Sequence, residues 1–187
     1  AYPIYEFISD PIKKEEIKAA VKRYIESKKV AQIETSPLFR LWNPKEKNSF
    51  YTSSLDEANI YLRNGYRLDN GSNEHYVIGY VFKNSQPGTV PLYRLWNSKE
   101  KNSFYTTSLS EANTYRGFGY NWDYGGFGNY IIGYVLKDQQ QLETKPLFRL
   151  WNSKEKNCFY SSSLIETSAY RAIGYNWDYG AFGNYII

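Results

Sequence analysis

The chain has 187 residues and a formal net charge of +4, long enough for one domain with a real core and too weakly basic for a dedicated nucleic-acid binder. No apolar run approaches the ~18 residues that a spanning helix needs, so no membrane span is expected. Aromatic residues make up 19%, including 20 Tyr and 5 Trp, side chains that serve cores and wet recognition surfaces alike.

The chain starts Ala1-Tyr2-Pro3 and contains no Met, which suits a processed protein whose signal peptide has been removed, so secretion is expected. Asp10-Pro11 is a helix start, with a capping Asp and Pro in the first turn. From there to about Lys29, Ile17, Ala20, Val21, Tyr24 and Ile25 recur at helical spacing as an apolar stripe. Lys13, Lys14, Lys18, Lys22, Arg23, Lys28 and Lys29 could meet a membrane surface or an anionic polymer. Glu15, Glu16 and Glu26 interrupt that face, which favours a helix docked by its stripe with the lysines in water. Residues 31–36 read as a connector, so the organisation is 1–36 followed by a three-repeat domain, 37–187.

Within that domain one motif occurs three times. Residues 37–78, 91–132 and 146–187 align without a gap over 42 positions; copies two and three share 31 of them, and copies one and two share 26. With the strands that follow, the units span 37–83, 91–137 and 146–187. Units of this kind bury their apolar faces against one another.

Each unit opens with Pro-Leu-[Phe/Tyr]-Arg-Leu-Trp, a strand whose alternation puts Leu92, Arg94 and Trp96 on one face. A polar stretch such as Asn97–Asn102 and a second strand, Phe104–Thr107, complete a hairpin with a charged tip. Ser54, Ser108 and Ser163 each precede a Glu by three residues (Glu57, Glu111, Glu166), the capping box of a short helix that Gly65, Gly119 and Gly174 stop. The box gives these glutamates a structural role. Tyr130–Val135 reads as the last strand. The fold class is therefore α+β and strand-dominated: three β-β-α-β repeats, expected in a compact pseudo-threefold arrangement with an N-terminal amphipathic helix. Copy three stops at Ile186-Ile187 without Gly-Tyr-Val, so either the native chain continues or the N-terminal segment completes that unit.

Arg40, Arg94 and Arg149 share a strand face with Leu and Trp, and a guanidinium in apolar surroundings needs a partner. Glu46, Glu100 and Glu155 in the tips, or Asp69, Asp123 and Asp178 in the loops, could supply it. Alternatively each Arg stacks on Trp42, Trp96 or Trp151 and offers its fork to a ligand. The loop from Gly119 to Tyr130 interleaves Asn121, Trp122 and Asp123 with glycines and further aromatics, and copy three repeats it with Asn176, Trp177 and Asp178. Rings stack on the C–H faces of sugars while amides and carboxylates read hydroxyls; the same rings could equally fill the junctions between units. Copy one departs, with Leu68 in place of Trp and the run Asn70–His75. Asn70-Gly71-Ser72 fits a glycosylation sequon, and His75 reads as a surface residue. Cys158 stands where Ser49 and Ser103 stand, so it is read as a small packing residue. A single cysteine allows no internal disulfide.

The succession P-L-[FY]-R-L-W-N, F-Y-[TS]-[ST]-S, G-Y and I-I-G-Y-V resembles a Tyr-rich repeat of secreted bacterial and fungal proteins, a domain of unknown function often appended to secreted hydrolases. The resemblance covers residues 37–187 and implies export and a polysaccharide or cell-surface role. Ser49, Ser103 and Cys158 stand where that family often has His, so no role of that His carries over.

Triplication favours a non-catalytic, multivalent, lectin-like module for a glycan or cell-surface polysaccharide, since linked weak sites gain avidity. The candidate ligand-binding residues are Arg40, Arg94, Arg149, Trp96, Trp151, Trp122, Trp177, Asp123, Asp178, Asn121 and Asn176. No cofactor, metal or nucleic acid is expected. The alternative is a structural or protein-interaction module with the aromatics in the core. A hydrolase pairing Glu100 with Asp123 would need that pair in every copy, and a single-stranded nucleic-acid groove would need its positive charge among the aromatics.

Overall fold

A computed structural model describes residues 15–22, 34–70, 76–125, 128–139, 144–178 and 184–187. The chain divides into two units, 1–33 and 34–187. In the first, residues 15–22 form helix α1, with Lys18 Nζ 2.8 Å from Glu15. The expected helix start at Asp10-Pro11 and its end near Lys29 lie outside the described residues, as do His75 and two positions of the sequon, Gly71 and Ser72. Among the described residues no helix is long and apolar enough to cross a membrane.

The second unit is strand-dominated α+β. Its first copy runs β1 (Thr35–Asn43), β2 (Asn48–Thr52), α2 (Leu55–Arg63), β3 (Arg67–Leu68) and β4 (Val77–Phe82). The second runs β5 (Thr89–Asn97), β6 (Asn102–Thr106), α3 (Leu109–Gly117), β7 (Asn121–Trp122) and β8 (Ile131–Leu136). The third runs β9 (Lys145–Pro146), β10 (Phe148–Asn152), β11 (Asn157–Ser161), α4 (Leu164–Ala172), β12 (Asn176–Trp177) and β13 (Tyr185–Ile186). All pairings are antiparallel. The first long strand of a copy takes the hairpin partner on one edge, as Arg94 opposite Tyr105. Its other edge takes the short strand, as Leu95 opposite Trp122, and the last strand, as Pro91 opposite Tyr134. The start of the aromatic loop is thus a two-residue strand, which periodicity could not show. The first strand also begins at Thr35, two residues into the expected connector.

Helix boundaries follow the capping signals. Ser54, Ser108 and Ser163 each accept the backbone N–H of the Glu three residues on, satisfying one orphan donor of the first turn. Gly65, Gly119 and Gly174 adopt φ of 90°, 93° and 102° just beyond the C-caps, a left-handed conformation that favours glycine. The reciprocal half of the box runs through a hydroxyl: the N–H of each capping Ser donates to the hydroxyl of Thr52, Thr106 or Ser161, and that hydroxyl donates to the carboxylate of Glu57, Glu111 or Glu166.

In copy three the last described strand, β13, takes a shifted register. Tyr185, the sequence counterpart of Tyr76 and Tyr130, lies opposite Pro146, the place that Tyr80 takes opposite Pro37 and Tyr134 opposite Pro91. The last strand has slid by four residues relative to its siblings. An even slip keeps every side chain on its own face, so Ile186 fills the core site that Val81 and Val135 fill in the first two copies, at 1%, 0% and 0% exposure. β13 then pairs with β8 through Tyr185 and Leu136, and Tyr80 and Ile187 exchange backbone hydrogen bonds of 2.8 and 3.1 Å.

Candidate functional site

The strand carrying each Arg sets its side chain on a face that meets another copy. Arg94 donates from Nη1 and Nη2 to both oxygens of Glu57, each at 2.8 Å. Arg149 does the same to Glu111 at 2.9 and 2.7 Å, and Arg40 to Glu166 at 2.7 and 2.6 Å. Copy two therefore grips copy one, copy three grips copy two, and copy one grips copy three. Each guanidinium also lies 5.0 Å over a Phe ring of the copy that supplies the Glu: Phe50, Phe104 or Phe159. The Nε of Arg40, Arg94 and Arg149 faces Asp69, Asp123 and Asp178 at 3.0, 2.9 and 2.9 Å.

These pairs correct the expected ligand set. Arg40, Arg94 and Arg149 are 1%, 0% and 2% exposed, with the fork filled by a carboxylate, so none offers it to a ligand and none stacks on Trp42, Trp96 or Trp151. Burial is the strongest single influence and pulls the Arg94 guanidinium down, but its hydrogen bonds to Glu57 and the charges of Tyr105, Asp123 and Glu57 together hold it raised. Asp123 and Asp178 belong to the same interior pairs. The carboxylates in the tips are not the Arg partners: Glu100 faces Lys156 at 3.7 Å, so Glu100 and Asp123 answer to different cations. The capping glutamates, read as caps alone, are the Arg partners. The missed signal was their recurrence beside an equally recurrent Arg. Gly125 serves the same centre, since a Cβ there would sit 1.7 Å from Arg94 Nη2. Its backbone packs directly on the Arg94–Glu57 ion pair.

A second circuit joins the copies. The phenol of Tyr51 donates to the carbonyl of Tyr160, that of Tyr160 to Tyr105 and that of Tyr105 to Tyr51, each at 2.9 Å. Each phenol also accepts the backbone N–H of the same residue, so the open edges of β2, β6 and β11 are closed by side chains. With Leu38, Leu92 and Leu147 the three rings enclose a void of about 10 Å³, too small for a ligand. Cys158 is buried beside them and replaces a serine as a packing residue; burial pushes its thiol up to about 12.

What remains at the surface is the aromatic loop. Trp122 is half-buried, stacked on Tyr130 at 4.3 Å, with Arg116 5.3 Å from its ring centre. Tyr93 packs against it at 5.8 Å. Beside it Asn121 is exposed and Tyr124 is 52% exposed, its ring edge-on to Tyr130. Copy three repeats the arrangement with exposed Asn176 and with Arg171 5.5 Å from Trp177. Copy one has exposed Arg67 and Leu68 there. Trp96 and Trp151 are half-buried beside the hairpin tips, away from the loop tryptophans in sequence and on the Arg-bearing face of their strands.

A cleft of about 580 Å³ that periodicity did not foresee lies between the last strands of copies one and three. Tyr76, Val77, Tyr80, Lys145 and Ile187 line it, with Tyr76 and Tyr80 41% and 46% exposed. It exists because β13 and β4 meet through Tyr80 and Ile187. Among the described residues no group of three or more His, Cys, Asp or Glu could hold a metal ion.

The fold and surface define an aromatic-rich α+β protein of three like β-rich units, with its Arg–Glu pairs inside and further aromatic rings at its surface. The family described as "Domain of unknown function (DUF5648)" matches residues 37–186, and the chain belongs to it. No curated protein and no solved structure matches the chain significantly.

Proposed function

We propose that this protein is a non-catalytic, multivalent binder of carbohydrate or cell-surface polymer, acting outside the cell, with its three units closed into a pseudo-threefold ring. The observation that carries the reading is the rim of copy two. Tyr124 presents a ring 52% exposed, edge-on to Tyr130, which stacks on Trp122; Arg116 lies 5.3 Å from that Trp ring, and Asn121, next to Trp122 in the chain, is exposed. A sugar can lay its C–H face on Tyr124 and take hydrogen bonds from Asn121 and Arg116. Asn176, Trp177 and Arg171 offer the counterpart in copy three, whereas copy one, with Arg67 and Leu68 in these places, contributes a different or weaker site. The cleft between Tyr76, Tyr80 and Lys145 has the size of a small saccharide site. Arg40, Arg94, Arg149, Asp123 and Asp178 act here only as supports.

A second reading, a structural or protein-interaction module, is favoured by the tight mutual stacking of Tyr93, Trp122 and Tyr130. A glycan-array screen separates the two. Binding to one glycan class, lost in folded Asn121→Ala/Tyr124→Ala, supports the lectin-like reading. If no class binds the parent chain, the aromatics belong to packing alone.

A further inference from the structure

The three hairpin tips form a third circuit, on the outside of the unit. In each tip an Asn side chain folds the turn: Asn43 Oδ1 accepts the N–H groups of Lys45 and Glu46 at 3.0 and 3.1 Å. Asn97 and Asn152 do likewise in their copies. The residue before the second strand is then left-handed, with φ of 52°, 51° and 53° at Lys47, Lys101 and Lys156. That geometry presents its carbonyl sideways to another tip. Asn48 donates to the carbonyl of Lys101, Asn102 to that of Lys156 at 2.6 Å, and Asn157 to that of Lys47 at 2.9 Å. Three polar loops far apart in sequence are thus fixed side by side.

Together they concentrate the positive charge of this unit. The tips hold six lysines, all exposed, and three glutamates, a net charge of +3. The other charged residues of 34–187, ten Lys or Arg and eleven Asp or Glu, sum to −1. Lys101 and Lys156 lean on Glu46 and Glu100 at 3.2 and 3.7 Å. Among the described residues no carboxylate pairs with Lys45, Lys99 or Lys154. Trp42, Trp96 and Trp151, each half-buried, stand immediately before the tip asparagines. Cations held in a rigid set beside aromatic surface suit a polymer that bears both anionic groups and sugar C–H faces.

We propose that the ring of hairpin tips is a binding site for an anionic polysaccharide, distinct from the neutral-sugar surface at Tyr124, with Lys45, Lys99 and Lys154 taking its sulfate or carboxylate groups. The alternation Lys-Glu-Lys in every tip disfavours the continuous phosphate track of a nucleic acid. The tips also carry no apolar side chain besides Pro44 to enter a bilayer.

The test measures binding of the intact chain to dextran sulfate, with neutral dextran, single-stranded DNA and phosphatidylserine vesicles as further arms. The proposal expects dextran sulfate to bind and neutral dextran not to. Lys45→Gln/Lys99→Gln/Lys154→Gln should weaken that binding about tenfold or more, with an unchanged melting curve, as should 0.5 M salt. Lys18→Gln/Lys22→Gln/Lys83→Gln removes the same charge elsewhere and should change affinity less than about twofold. Equal losses in the two triple variants would mean that only net charge matters and would overturn the site. So would DNA or vesicles binding as tightly as dextran sulfate. Failure of the Tyr124 reading leaves this site standing, because neither set of variants touches the other's residues.

Discussion

At the scale of single residues, the decisive groups are the three interior arginines. Desolvating a guanidinium and a carboxylate is costly, and bidentate geometry with a further Asp on Nε is what offsets it here. Removing Glu57 leaves the buried fork of Arg94 without its bidentate carboxylate, so Glu57→Ala should lower unfolding free energy by about 3–5 kcal/mol in urea melts. The double variant Glu57→Leu/Arg94→Met should recover part of that loss; if it were no better than the single change, the pair would not be the cause. Buried phenols give a pH signature. Burial holds Tyr51, Tyr105 and Tyr160 above their ordinary 10 and Cys158 above its ordinary 9. The unfolded chain therefore loses these protons first, so their contribution is fully present below about pH 9 and falls away as pH rises further. Urea melts from pH 7 to 11 should show level stability and then a decline. Unchanged stability at pH 11 would contradict the sealed Tyr circuit.

Among the elements, the helices were the most legible. The Ser-x-x-Glu spacing and the closing glycines placed α2, α3 and α4, because a cap is a local matter of a few neighbouring groups. Ser54→Ala, Ser108→Ala and Ser163→Ala should each cost about 1 kcal/mol, read from thermal melts with the three effects close to additive. Loss of only a few tenths at every site would show that the caps are not the start signal. Less legible was the second use of those glutamates, since the Arg that takes each carboxylate lies in another copy, 37 residues away for Arg94 and Glu57 and 126 away for Arg40 and Glu166. The slide of β13 was equally hidden. It places Ile186 in the core site that Val81 and Val135 fill in the other copies.

Considered whole, the unit is held by circuits that run through all copies. Arg–Glu pairs, Tyr phenols and tip asparagines each pass from copy to copy and return to the first. No copy then completes its own polar groups: Arg40 needs Glu166 and Tyr51 needs Tyr160. Deleting residues 144–187 should leave the rest without cooperative unfolding, checked by calorimetry and dispersion of amide NMR signals. A sharp transition in that fragment would mean that two copies suffice. For the same reason the intact unit should melt in one step rather than copy by copy.

The amino-acid sequence by itself determined the number of like units and the hairpin, helix and last strand within them, though not the two-residue strand after each helix, because periodicity, caps and turn residues act over a few neighbours. It placed Arg40, Arg94 and Arg149 among ligand-binding candidates, since an Arg beside Leu and Trp reads the same whether its fork meets a ligand or a buried carboxylate. Only the tertiary structure decided that question. It brings a Glu from another copy into the fork, and burial makes that pairing obligatory. It likewise sorted the aromatics, enclosing Tyr51, Tyr105 and Tyr160 while leaving Tyr124 in water, since exposure is settled by which surfaces the copies bury against each other.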